Sequence, residues 1–159
     1  MNLDRILLLL LAIGFLGCGE NQHNQNQSAH DGLHQHTAPH GGKLVEVGPH
    51  GSGFNLELVL EPEGILRIFI LDAHAENFVR IAEESIVVEI LDRNHSTTKI
   101  ICQAVEDPGT GETVGNSSLF SSTRVITNFK PFSAKIAKLA IKEQVYNNIS
   151  FELSLNSKN

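Results

Sequence analysis

The chain has 159 residues, 41% of them apolar and 19% charged, with 13 Gly, 5 Pro, 2 Cys and no Trp, a length that suits one ordinary domain and little more. Twelve Lys and Arg against 18 Asp and Glu give a formal charge of −6, so no broad cationic field exists to hold a phosphate backbone, and nucleic-acid binding is excluded. Eight histidines are the one compositional excess, and His23, His30, His34, His36, His40 and His50 crowd into the first third of the chain.

Residues 1–17 carry Arg5, then an apolar run from Ile6 to Leu16, then Gly17-Cys18 ahead of an abrupt polar change at Glu20. This is the grammar of an export signal. The run is well short of the roughly 20 residues a helix needs to cross a bilayer, so a spanning protein is not expected. Ala12 is the only alanine in the segment and no A-x-A cleavage pattern exists there, which disfavours a plain secretory peptide. Gly17-Cys18 instead resembles the lipobox of bacterial lipoproteins, in which a small residue precedes a cysteine that is diacylated before cleavage. Phe15 and Leu16 depart from the usual letters of that motif. The resemblance implies that Cys18 is lipidated and becomes the first residue of the mature chain. Two or three acyl chains then anchor it to the membrane, each buried methylene contributing about 0.8 kcal/mol. The expected location is the cell envelope, at the outer membrane facing the periplasm in a Gram-negative host, since Gly19 is not the aspartate associated with inner-membrane retention.

Residues 18–38 are mostly Asn, Gln, His, Ser and Gly with almost no apolar content, too little to offset the entropy of ordering, and they read as a disordered tether. Its root-mean-square span is on the order of 25 Å. His34-Gln35-His36 presents two imidazoles together, and neutral imidazole is a common ligand for Zn, Cu and Ni. Capture by such a segment would favour Cu(II) and weaken as imidazoles protonate below about pH 6.5. A polar spacer in which His merely replaces Gln and Asn is the other reading.

After Pro39 the pattern changes to short runs of Val, Ile, Leu and Phe between Gly, Pro, Asn and Asp, the signature of an all-β domain. Residues 54–60 place Phe54, Leu56, Leu58 and Leu60 on one face, Glu61-Pro62-Glu63-Gly64 supplies turn chemistry, and residues 65–71 return as the partner strand. Residues 85–91 and 98–105 form a second pair around 92–95. A long irregular loop covers 106–118 before Leu119-Phe120 re-enters the core. Residues 149–155 alternate cleanly and pair with 134–141 through a turn near Glu143-Gln144, although residues 133–140 also score as a helical turn or two. Seven or eight strands over 39–156 predict an antiparallel β-sandwich, immunoglobulin-like in size. Cys102, in a strand-like setting and with no partner inside the domain, is expected to be a small apolar core residue.

Three histidines fall at turns or strand ends, in Pro39-His40-Gly41-Gly42, Gly48-Pro49-His50-Gly51 and Leu71-Asp72-Ala73-His74-Ala75-Glu76. Asp72, His74 and Glu76 are spaced by two and share one side of an extended chain. His40, His50 and His74, or two of them with Asp72 or Glu76, would complete a Zn or Cu site if the hairpin end meets the first strand. The alternative is structural: the glycines make plain turns, His50 caps a strand, and Asp72 and Glu76 hydrogen-bond the loop around Asn77. No serine or cysteine stands in a nucleophile setting such as G-x-S-x-G, and an enzyme is not expected. A blue-copper centre is disfavoured, since Met1 is the only methionine and no histidine follows Cys102.

Those three segments, together with Phe54-x-Leu56-Glu57-Leu58-Val59-Leu60, Gly64 and Val79-Arg80-Ile81, resemble a set of small bacterial lipoproteins of unassigned function. They are also similar to a segment near the front of some periplasmic adaptor subunits of heavy-metal efflux systems. The likeness spans residues 39–81 closely and Gly115-Asn116-Ser117-Ser118-Leu119-Phe120 more loosely. It implies a β-rich envelope domain linked to metal export, with metal-efflux components as partners, and supplies no ligand set. The long helical hairpin and transporter-docking parts of a full adaptor are missing, so a stand-alone accessory is expected. The sequence thus points to a lipid-anchored protein binding Cu or Zn, or else to an interaction or scaffold lipoprotein with incidental histidines.

Overall fold

The computed structural model describes residues 36–91, 96–127 and 130–154. The export signal, Cys18, His34 and the turn at 92–95 lie outside the described residues. Eight strands follow in order: β1 (Lys43–Val47), β2 (Phe54–Leu60), β3 (Leu66–Leu71), β4 (Ser85–Leu91), β5 (Thr97–Ala104), β6 (Leu119–Ser122), β7 (Phe132–Ile141) and β8 (Gln144–Leu153). Among the described residues there is no helix, and the fold is all-β and antiparallel, as the alternation requires.

Hydrogen bonding runs through one continuous sheet in the order β1-β2-β3-β6-β5-β4-β7-β8. The first three strands form a meander. β6 then inserts between β3 and β5, and β7 crosses to the free side of β4. The sheet curls until its two ends meet, where Tyr146 of β8 packs against Gly48 and stands edge-on to Phe54 at 6.2 Å. The two packed faces of the sandwich therefore belong to one nearly closed sheet around a single core.

That core is built from the inward positions that sequence alternation marks. Leu56 pairs with Ile70 and Leu58 with Ile68, and Ile86 pairs with Cys102 and Val88 with Ile100, all buried. Phe120 of β6 is fully buried among them. Cys102 is part of this core, and burial pushes its thiol up to about 12, so it stays protonated and unreactive.

The β7–β8 hairpin changes phase part-way along. Inward residues of β7 run Ala134, Ile136, then Leu139, Ile141, and those of β8 run Ile149, Phe151, Leu153 beyond Tyr146. Asn148 sits opposite the slip with φ 55, and the ladder skips from Ile136↔Ile149 to Lys138↔Asn147. A left-handed residue interrupts the pleat and lets the inward face move by one position. The three-residue step from Ile136 to Leu139 is what gives this strand its helix-like periodicity.

Candidate metal centre

The residues that carry the site lie on the outer side of β1, β2 and β3. Strand alternation turns Asn55, Glu57, Phe69 and Leu71 away from the main core, yet all four are buried. Two irregular segments cover them. The entering chain at 36–42 lies over Glu57 and Phe69, and the turn at 72–79 lies over Leu71, which bridges to Phe78.

Glu57 is the anchor of the first segment. Its Oε1 accepts the backbone N–H groups of His40 at 2.7 Å and Gly42 at 3.0 Å, and its Oε2 lies 2.8 Å from His40 Nδ1. The His40 ring stacks on Phe69 with centroids 3.8 Å apart and planes 11° from parallel. Phe69 is the cross-strand neighbour of Glu57, so one lateral pair fixes both the ring and its nitrogen. His40 is thereby engaged as a structural clasp, and the structure does not bring it to His50 and His74.

Register places the other groups at one end of the sheet. Glu46, on the outer side of β1, is directly opposite Asn55, which in turn is opposite Leu71 at the end of β3. The β1–β2 turn bends through Gly48 and Gly51, both at positive φ, with Pro49 O accepting from Ser52 and Gly53 N–H. This returns His50 to Glu46, with Nδ1 3.0 Å from Oε1. The β3 turn is held from two sides. Asn55 Nδ2 donates to the carbonyls of Asp72 and Ala73, each at 3.0 Å, and the Asp72 carboxylate accepts from His74 and Glu76 N–H and from the Asn77 amide. Asp72 is thus a turn-maker, and Glu76 supplies the turn a backbone N–H.

His36 is the residue that gathers the rest. It offers a nitrogen that lies within 4.8 Å of donor atoms of both Glu46 and His50, which are likewise within that distance of each other. Its ring centroid is 5.8 Å from that of His50 and 5.6 Å from that of His74. Its Nε2 is buried and has no hydrogen-bond partner, a costly state for an imidazole nitrogen unless something answers it. Of the histidines expected at the front of the domain, His50 joins His36 and Glu46, His74 neighbours the His36 ring alone, and His36 takes the place of His40. Glu46 was not singled out from the sequence. The signal for it was present, because Val45 and Val47 face inward and leave Glu46 on the outer side, four residues before His50.

Asp72 also carries a pH prediction. Burial pushes its carboxyl up, but hydrogen bonds from the Asn77 side chain and from the backbone of Glu76, Asn77 and His74 outweigh this and hold it below its ordinary value. The folded state therefore binds this proton more weakly than the unfolded chain does. The turn's contribution is complete above the unfolded value of about 3.9 and is lost as pH falls through the lower folded value. Chemical unfolding of the parent and of Asp72→Ala, compared from about pH 6 down to about pH 2, is expected to show a stability gap that closes only at the acid end.

No family model matches the chain, and no curated protein or solved structure is similar to it at a significant level.

Proposed function

We propose that this is a lipid-anchored envelope protein whose β domain binds a divalent transition metal, Cu(II) or Zn(II), as a non-catalytic accessory to metal efflux or homeostasis. The observation that carries the metal reading is the approach of His36, Glu46 and His50 to within 4.8 Å of one another. The buried, unpartnered Nε2 of His36 supports it, since an imidazole nitrogen left without a hydrogen bond is one that a cation can satisfy. Donors around a tetrahedral ion at bond lengths of about 2.1 Å stand about 3.4 Å apart, so loading asks of any pair here a contraction of at most about 1.4 Å. Glu46 and His50 are exposed and are free to make it. The anchor rests on the export grammar and Gly17-Cys18, and the efflux link rests on the resemblance over residues 39–81.

Calorimetric titration of the detergent-solubilised full-length chain with Cu(II) and Zn(II) tests the metal reading. One saturable site is expected, retained when His23, His30 and His34 are replaced by Asn and lost in His36→Ala/His50→Ala. Binding that disappears with the first set and survives the second would move the site to the tether, and a parent with no binding would end the metal reading.

A second reading, an interaction domain with incidental histidines, is favoured by one observation. Val87 and Ile101 face each other across β4 and β5 on the outer side, 39% and 45% exposed. The same titration separates the two, because this reading expects no saturable site.

A further inference from the structure

We infer that His74 is the third imidazole of the centre, so that a bound ion is held by His36, His50, His74 and the Glu46 carboxylate and fastens three separate stretches of chain together. This rests on the metal-binding reading and adds to it the donor set and the class of ion.

Four observations converge. First, the His36 ring neighbours both of the others, 5.8 Å from His50 and 5.6 Å from His74, the latter edge-on, and His74 has only to swing its ring to join the donors of His36, Glu46 and His50 that already lie within 4.8 Å of one another. Second, the turn that presents His74 is fixed more tightly than an exposed loop needs. It is pinned by Asn55 and Asp72, and the next residue, Ala75, is buried with φ 57, a conformation that non-glycine residues avoid. The product of that arrangement is a single exposed imidazole beside His36. Third, the β1 turn and the turn that carries His74 meet across a small cavity of about 10 Å³ whose lining includes Glu46, His50, Asn55 and Ala73 but neither His36 nor His74. Fourth, the nearby carboxylate that could compete with His74 is already spent, since both Asp72 oxygens accept hydrogen bonds within the turn.

Three imidazole nitrogens and one carboxylate oxygen form a borderline donor set. It lacks the thiolate or thioether that would favour Cu(I) and has too few oxygens for Ca²⁺ or Mg²⁺. It suits tetrahedral Zn(II) or tetragonal Cu(II). With all four positions taken by protein, such a centre holds its ion and leaves no open position for a reacting water.

The test uses the full-length chain in detergent, with His23, His30 and His34 replaced by Asn in every sample so that only the domain is read. Zn(II) affinity is measured by chelator competition, and the imidazoles bound to Zn(II) are counted by X-ray absorption, in this parent, in His74→Ala and in Glu76→Gln. His74→Ala is expected to weaken binding about tenfold or more and to reduce the imidazole count from three to two. Glu76→Gln, in the same turn, is expected to change neither. Unaltered affinity and count in His74→Ala would overturn the assignment of His74 and leave the His36, Glu46 and His50 site standing. A parent that takes up no Zn(II) or Cu(II) would overturn both.

Discussion

Replacing Glu57 by Ala is expected to lower the unfolding free energy by about 3 kcal/mol, among the largest effects a single side chain in this protein can have. Glu57 is fully buried and its two oxygens meet three donors, His40 N, Gly42 N and His40 Nδ1. Truncation strips those donors at once and opens a void beside Phe69. Each stripped, poorly hydrated N–H costs about 1–3 kcal/mol, reduced where the segment relaxes toward water. Glu57→Gln keeps the volume and one acceptor but points an N–H₂ at a donor, so a loss of about half that size is expected. Urea unfolding followed by far-UV circular dichroism measures both. An unchanged midpoint in Glu57→Ala would mean that the entering segment is not held by this carboxylate.

The second large effect belongs to Gly53. A Cβ built there would lie 2.2 Å from Val47 O, 3.0 Å from Pro49 O and 3.1 Å from the carbonyl carbon of Gly48. Every one of these atoms is backbone of the same turn, so no side chain can swing aside. Gly53→Ala must open the β1–β2 turn and break the Val47–Phe54 pairing, at about 2–4 kcal/mol. Because Glu46 and His50 flank that turn, Zn(II) binding is expected to weaken along with stability. Gly51→Ala is the natural comparison. Gly51 has φ 76 but open space around the missing Cβ, so only the left-handed backbone is penalised, by about 1–2 kcal/mol. Equal losses in the two variants would refute the steric argument.

The strands most readable from the sequence were those with unbroken alternation and strong turn residues. Residues 54–60 and 65–71 fall on β2 and β3 to within one residue because Leu56, Leu58, Ile68 and Ile70 keep a strict period of two around the Glu61-Pro62-Glu63-Gly64 turn. β7 was ambiguous for a physical reason: its inward face slips at Ala137-Lys138, and a slip in a strand leaves the same i, i+3 trace as a helix. β1 was never delimited, since Lys43–Val47 is short and lies between two glycine-rich turns.

The site was legible in part. His50 and His74 stood out because turns expose what they carry. His40 looked equivalent and is not, because its fate is decided by Glu57. On an amphipathic strand a Glu at the polar register position reads as solvent-facing, and nothing local announces that another segment will cover it. His36 was assigned to the tether by composition. Its packing against His50 and His74 is a non-local contact, made by chain that has almost no apolar residues of its own to reveal it.

The clasp at Glu57 has a mechanical consequence. A pull on the chain ahead of residue 36 does not reach the strands first. It is borne by a carboxylate gripping the backbone N–H groups of His40 and Gly42 and by a ring lying flat on Phe69, so that contacts outside the barrel wall must yield before β1 begins to peel. Load entering at residue 36 is thus taken up by a polar latch beside the sheet, and the eight-stranded wall does not depend on that latch for its own hydrogen bonds.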